Sequence, residues 1–289
     1  MIRTIDNHQP VPDITISVAL VTRNRPESLN RCLMSLRSQS IQPFEVVVSD
    51  DSDPEFAAET ELIVKRWNCQ YISGPRRGLY ANRNHAALAC KGTHIRTMDD
   101  DHEFPEKHFE QCMLAIKSDP EAIWIIGEYL PTEKVGQQPH PCPGQLHPRG
   151  FSVKPKNTQN CWAISDGASI YPKVIFDSGI RYAEYFKFGY SYLEFGSRLY
   201  WLGYSLRHLE STYIIHYYDK NNRSVMSDII NLSSCFYAIL CHSFIYQNNL
   251  INKVLSILEI SKQIVKNRQL GFQSLAMALR AYKKQEKMI

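Results

Sequence analysis

Hydrophobic and polar positions along the first half of the chain switch repeatedly between two periods. Residues 14–21 (ITISVALV) are a continuous β-branched and apolar run, whereas Leu29, Cys32, Leu33 and Leu36 recur at the spacing of a helix with one buried face. The pair predicts a strand, a TRNRP loop and a helix. Residues 45–49 (EVVVS) form a second apolar run without polar alternation, as in a parallel strand covered on both faces. A helix from Pro54 follows, with Phe56, Thr60, Ile63, Val64 and Trp67 along one side and proline in the first turn, where its missing N–H is harmless. Further strands are predicted at 69–72, 94–98 and 123–126. Between them lie a 74–78 loop (GPRRG), a helix at Leu79–Ala89 and a helix carrying Phe109, Cys112, Met113 and Ile116. Strands alternating with helices predict an α/β fold, a mostly parallel sheet flanked by crossover helices.

Beyond residue 219 the pattern becomes helical without strands. Residues 229–252 hold no Asp, Glu, Lys or Arg and are long enough to span a bilayer, but Asn231, Ser233, Ser234, His242, Gln247, Asn248 and Asn249 interrupt them. A spanning helix is not expected. Lys253, Lys262, Lys266, Arg268, Arg280, Lys283, Lys284 and Lys287 make this end basic, which suits either a helical cap or dimer face or peripheral contact with an anionic membrane. The chain therefore divides into a tail at 1–13, one large domain at 14–219 with halves at 14–130 and 131–219, and a helical C-terminal extension at 220–289.

Composition narrows the function classes. With 289 residues, 44% hydrophobic and 21% charged, the chain is an ordinary globular protein and not a disordered one. A net charge of +4 admits an anionic substrate but is too small for a dedicated nucleic-acid binder. The eight cysteines contain no CxxC pair, which points to a reducing compartment, and the first thirteen residues carry acid and proline where an export signal needs an apolar run. A cytoplasmic protein is expected.

The chemistry concentrates at strand ends. Residues 93–105 (THIRTMDDDHEFP) place three carboxylates directly after the fourth predicted strand. Asp99 and Asp101 share one side of an extended segment and offer the hard oxygen ligands that Mg²⁺ or Mn²⁺ prefers. In α/β sheets ligands bind beyond the carboxyl ends of the strands. Here those ends carry Thr22, Asn24 and Arg25 after the first strand and Asp50 and Asp51 after the second, with Arg76, Arg77 and Arg83 available to a phosphate. No G-x-G-x-x-G follows the first strand and no GK[ST] loop occurs, so dinucleotide and P-loop chemistry drop away.

Residues 16–53, with the V-T-x-N-R-P turn and V-x-D-D-S ending, the 78–89 helix with its NRN, and THIRTMDDD together resemble the nucleotide-sugar half of the family 2 glycosyltransferases of the GT-A fold. DGASI (166–170), SYLEFGSRLYWLGY (191–204) and STYIIHYY (211–218) are similar to that family's acceptor side. The resemblance implies metal-dependent, inverting transfer of a sugar from a nucleotide-diphosphate donor, UDP by the family's habit, to a carbohydrate, lipid-linked or other hydroxyl acceptor. It implies that Asp50 or Asp51 meets the base, Thr22 and Arg25 lie along the nucleoside, and Arg77 or Arg83 approaches the diphosphate. Asp99 and Asp101 become the DxD motif that holds Mn²⁺ or Mg²⁺, with Asp100 near the ribose or sugar and His216 as a third ligand.

The acceptor side departs from the family pattern. Where an acidic pair is usual, aligning on Arg198-Leu199 leaves Ser191-Tyr192, and a phenol with an ordinary pKa of about 10 is a poor base. Glu194 is the expected catalytic base, with Asp166 and Glu184 in reserve; an ion pair with Arg198, four residues on, is its competing role. A catalytically inactive sugar-nucleotide binder and a sugar nucleotidyltransferase are the alternatives, the second weakened by the missing G-x-G-T-R loop. The proline-rich segment 131–156, with His140, Cys142 and His147, reads as a lid or acceptor-binding loop in preference to a zinc site. Tyr182, Tyr185, Phe186, Phe188, Tyr190 and Tyr192 read as core in preference to a sugar platform.

Overall fold

A computed structural model describes residues 13–131, 141–217 and 228–288. The apolar run near its start forms β1 (Ile16–Thr22), every residue of which is buried. The period then changes and α1 (Pro26–Arg37) turns Leu29, Cys32, Leu33 and Leu36 inward; each such leucine contributes roughly 1.5–3 kcal/mol by leaving water. The alternation continues through β2 (Glu45–Asp50), α2 (Pro54–Arg66), β3 (Gln70–Ser73), α3 (Leu79–Ala89), β4 (His94–Asp99), the short β5 (His102–Glu103), α4 (His108–Ser118) and β6 (Ile123–Tyr129). A small hairpin of β7 (Gln145–Leu146) and β8 (Ser152–Val153) precedes β9 (Ser169–Pro172), α5 (Val174–Asp177), α6 (Ser191–Trp201) and β10 (Leu206–His216).

The main sheet has the order β3-β2-β1-β4-β9-β6-β10-β5. Six of its strands, β3, β2, β1, β4, β6 and β10, run in one direction, so their carboxyl ends share one edge. β9 runs antiparallel between β4 and β6, which brings its amino end, and the Asp166-Gly167 turn before it, to that same edge. β5 is antiparallel too, and its register sets His102 opposite His216. The central strands are covered on both faces, as their uninterrupted apolar runs require. Two clusters cover them: α1, α2 and α4 bury Leu29, Val64, Phe109 and Ile116 on one face, while α3 and α6 bury Tyr80, Ala86, Phe195 and Leu199 on the other.

Boundaries move by a few residues from the sequence expectation. Ile14 and Thr15 precede β1, α6 ends at Trp201, and β10 begins five residues before Ser211, because pairing with β6 supplies hydrogen bonds that polar residues around the Leu209/Tyr213 bulge do not advertise. β9 carries no clear strand signature of its own; tertiary pairing makes it one.

The C-terminal helices are α7 (Asp228–Cys241), continued by a π-helical turn at His242–Tyr246, then α8 (Leu250–Lys266) and α9 (Arg268–Glu286). Asn249 and Asn267 cap α8 and α9 by accepting from Asn252 N and Leu270 N. Helix 228–246 has the length and composition of a membrane span, yet 61% of its apolar window is buried in the fold. Phe236, Tyr237 and Ile239 join Tyr171, Phe176, Tyr182 and Phe195 in a single apolar cluster, so α7 shares the core of the α/β domain. Tyr182 and Phe186 belong to that buried cluster, and Tyr185, Tyr190 and Tyr192 pack against it half-buried.

Candidate active site

The common edge of the parallel strands gathers the charged residues. At the end of β4, Asp99 receives Arg83 from α3, whose Nη2 lies 2.9 Å from its carboxylate, while Arg83 Nε reaches Asp166 Oδ1 at 3.0 Å. Arg83 is buried, so one guanidinium bridges two carboxylates from different strand ends. Asp100 accepts from Thr22 Oγ1 at 2.7 Å and pairs with Arg25, which also donates to Asp101 Oδ2 at 2.8 Å. Arg25 follows the Asn24 turn, where a positive φ of 55° folds the chain back toward β4. Gly167 completes the packing: a Cβ there would stand 2.5 Å from Asp99 Oδ2 and 2.7 Å from His102 Cε1. From beneath, the buried Arg96 donates to Gly167 O at 3.0 Å and holds the turn against β4.

Beside Asp101 stands a histidine pair. Ligand atoms of Asp101, His102 and His216 all lie within 4.8 Å of one another. His216 Nε2 is 3.4 Å from Asp101 Oδ1, and its Nδ1 faces Glu128 Oε2 at 3.2 Å. Glu128, at the end of β6, is itself held by Ser165 Oγ at 2.6 Å. This carboxylate–imidazole order, with one ring nitrogen on an outer carboxylate and the other turned inward, is the arrangement that orients metal-binding histidines. His102 is buried with Nε2 lacking a hydrogen bond, 3.7 Å from Asp101 and 4.0 Å from Asp99.

Electrostatics agree with a cation here. Five carboxylates (Asp99, Asp100, Asp101, Glu128 and Asp166) face two guanidiniums, Arg25 and Arg83. Burial opposes a charge on His216, but Asp101 and Glu128 outweigh it and push its pKa up to about 10. The same contacts overcome burial to hold Glu128 down to about 2 and Asp101 below the ordinary carboxylate range. Burial lowers His102, leaving a neutral ring that can ligate, and lifts Asp100 and Asp166 to about 7. The residues fit a divalent ion: the two imidazole nitrogens and a carboxylate oxygen converge, and His102 has an orphaned nitrogen aimed between acids.

Other sequence candidates take separate places. Asp50 is occupied within the fold by Ser52 N and Tyr71 OH, while Asp51, at the same strand end, accepts from Arg76 N at 2.8 Å. Arg77 pairs with Glu184 at 2.9 Å, and Glu184 also accepts from Asn84, which removes it from the carboxylate cluster. Glu194 lies in the seam between α6 and the C-terminal helices: fully buried, 3.1 Å from Arg198 Nε and bonded by Tyr246 OH at 2.6 Å. Tyr192 is half-buried, and burial together with nearby Asp166 and Glu128 pushes its pKa well above the ordinary phenol value, which leaves a phenol there protonated. His147 stacks on Phe151, Cys142 Sγ bonds to Pro143 O, and His140 lies outside the described residues. His102, Glu128 and Arg96 were not singled out in the sequence; a Glu ending an apolar strand and the fourth residue of DDDH were the available signals.

A curled, mostly parallel sheet with carboxylates and histidines at one edge defines a GT-A glycosyltransferase fold. Residues 17–179 match the glycosyl transferase family 2 profile, more than half of the chain, and the protein belongs to that family. It is a glycosyltransferase. Comparison with curated protein sequences finds no match. Among solved structures, residues 1–349 of S. aureus TarS superpose with a TM-score of 0.62 at 16% identity, over 94% of this chain and 82% of that one. The same TarS fragment in complex with UDP-GlcNAc gives 0.65 at 15%, over 93% and 82%. GalNAc-T7 with UDP, GalNAc and Mn²⁺ gives 0.65 at 17% identity, over 78% of this chain but 47% of GalNAc-T7.

Proposed function

We propose that the chain transfers a sugar from a UDP-sugar to a hydroxyl acceptor with inversion, assisted by Mn²⁺ or Mg²⁺. The observation that carries this reading is the meeting of Asp99, Asp101, His102, Glu128 and His216 at one sheet edge in a family 2 chain. Asp101, His102 and His216 would hold the ion. Two imidazoles favour Mn²⁺ over Mg²⁺, a harder ion that prefers oxygen throughout. A bound ion neutralises the charge that grows on the departing diphosphate. UDP as the nucleotide draws support from TarS and GalNAc-T7, whose crystals hold UDP or UDP-GlcNAc.

The chain's own residues supply position and proton transfer. Thr22 and Arg25 lie along the nucleoside, and Asp51, held by the backbone N–H of Arg76 where Asp50 is committed to Ser52 N and Tyr71 OH, meets the base. Arg83 bridges Asp99 and Asp166 and fixes the two carboxylates relative to each other. As the acceptor oxygen bonds the anomeric carbon from the face opposite the leaving group, Asp166 takes its proton. The support for Asp166 over Glu194 is accessibility: 22% of its side chain is exposed, against none of Glu194's. All eight cysteines are unpaired thiols, which supports work in a reducing cytoplasm.

Titration of UDP into the protein with Mn²⁺ or EDTA tests the reading: binding should need the ion and be lost in Asp101→Asn. Equal affinity in all four combinations would sink it. A second reading, a nucleotide-sugar binder without transfer, is favoured by Ser191-Tyr192 at the family's base position and by the burial of Glu194. UDP release from a panel of UDP-sugars separates the two, since the binder releases none.

A further inference from the structure

Helix α8 carries far more apolar surface than its packing uses. Its inward side is mixed: Ile260 joins the core with Ile264 packed against it, while Ser256 and Glu259 are buried beside them, Ser256 Oγ donating to Pro148 O at 3.0 Å and lying 2.6 Å from Ser243 Oγ, and Glu259 accepting from Gln263 at 2.7 Å. Its outward side is apolar. Leu250, Ile251, Val254, Ile257, Leu258 and Val265 are between 46% and 80% exposed. At 3.6 residues per turn these six fall within an arc of about 120°. Lys262 and Lys266 border the arc on one side and Lys253 on the other. Among the described residues nothing covers this stripe.

Charge decides what covers it. Residues 228–289 hold eight Lys and Arg against three Asp and Glu, a net +5, whereas the whole chain is only +4. The remainder of the molecule is thus slightly acidic, and the net excess of positive charge lies in the helices that carry the stripe. Symmetric pairing of two copies through α8 would set lysine borders against lysine borders. Glu259, the acid on α8, is buried and already engaged by Gln263 and Lys262. An apolar band edged by lysines instead matches the boundary of an anionic bilayer, where the band enters the acyl region and the ammonium groups stay with the phosphates. We propose that the exposed face of α8 docks this glycosyltransferase on an anionic lipid surface. The inference does not depend on the nucleotide, the metal or the catalytic base.

Cosedimentation with vesicles tests it. The protein should pellet with vesicles of phosphatidylcholine and phosphatidylglycerol in equal parts, and stay in solution with phosphatidylcholine alone. In about 1 M NaCl, where the screening length shrinks to about 3 Å, binding should fall at least tenfold. Val254→Asp with Leu258→Asp alters exposed positions, so its melting temperature should match the parent while its vesicle binding drops tenfold or more. Lys262→Glu with Lys266→Glu should also lose binding, each lysine removed costing roughly fivefold. The proposal is overturned if the parent ignores anionic vesicles, if it binds neutral ones equally, or if the aspartate variant binds as the parent does. It is also overturned if light scattering finds a dimer that the aspartate substitutions split while no vesicle binding occurs.

Discussion

Glu194→Gln distinguishes a seam residue from a catalytic base. In the structure Glu194 and Arg198 form an ion pair at 3.1 Å with side chains 0% and 9% exposed. At an effective dielectric of about 20 the bare attraction is about 5 kcal/mol. Glutamine keeps an acceptor for Tyr246 OH but leaves the guanidinium without its counter-charge; loss of one partner of a buried pair costs about 3–5 kcal/mol. Because the hydrogen bond survives and Arg198 still donates to Arg181 O, the lower figure, about 3 kcal/mol, applies. For a chain of 289 residues, an unfolding entropy of about 2.1 cal/mol/K per residue converts this into a melting temperature lowered by roughly 5 °C. Scanning calorimetry measures that shift, and initial rates of UDP release, normalised to folded protein, measure the chemistry. The expected result is a destabilised variant with nearly full activity. Adding Arg198→Met should restore part of the loss, since the two positions touch and their effects do not add. An unshifted melting temperature together with a hundredfold slower transfer would refute the assignment and return Glu194 to the base position.

Asp166→Asn should bind UDP with Mn²⁺ as the parent does yet lose transfer by roughly 10²-fold or more, the scale of general-base catalysis; undiminished UDP release would remove Asp166 from the reaction. Glu128→Gln, which leaves the His216 ring without its outer carboxylate, should weaken Mn²⁺ by roughly 10–100-fold in calorimetric titration, and an unchanged affinity would separate the ion from the β6 and β10 ends. Burial lowers His242 to about 4, beneath its ordinary 6.5. The unfolded chain therefore binds its proton first on acidification: stability from this group is complete above about pH 6.5 and is lost toward pH 4, by about 3 kcal/mol at most. His242→Gln, which keeps an acceptor for Ser197 Oγ, should flatten that part of the pH–stability curve; an identical acid limb would show that His242 is not what titrates.

Much of the α/β framework was legible because its elements are locally consistent. The runs at 14–21 and 45–49 supply β1 and β2 to within two residues, and Leu29, Cys32, Leu33 and Leu36 are a helix face, each legible from its local period. β9 was not, since four residues of mixed character become a strand only by pairing with β4 and β6 at once. The DDD cluster was visible as chemistry because three adjacent acids are costly without a compensating cation. Glu128 was not visible, because a single acid after an apolar strand looks like any solvated turn until the sheet sets it 3.2 Å from His216.

Glu194 shows the same division most sharply. Its place in the helix, four residues before Arg198, follows from local sequence, which offers it two competing roles, catalytic base and ion-pair partner. Which role the geometry favours depends on α7 and its π-helical turn, which bring Tyr246 across 52 residues of chain to close over the carboxylate. Period and composition determine which face of each element is apolar, which residues can ligate or titrate, and in what order strands and helices come. They do not determine which strand ends meet, what covers a helix face, or whether an acid reaches water. Those follow from long-range pairing, whose partners are separated in sequence and are selected only when the whole core closes.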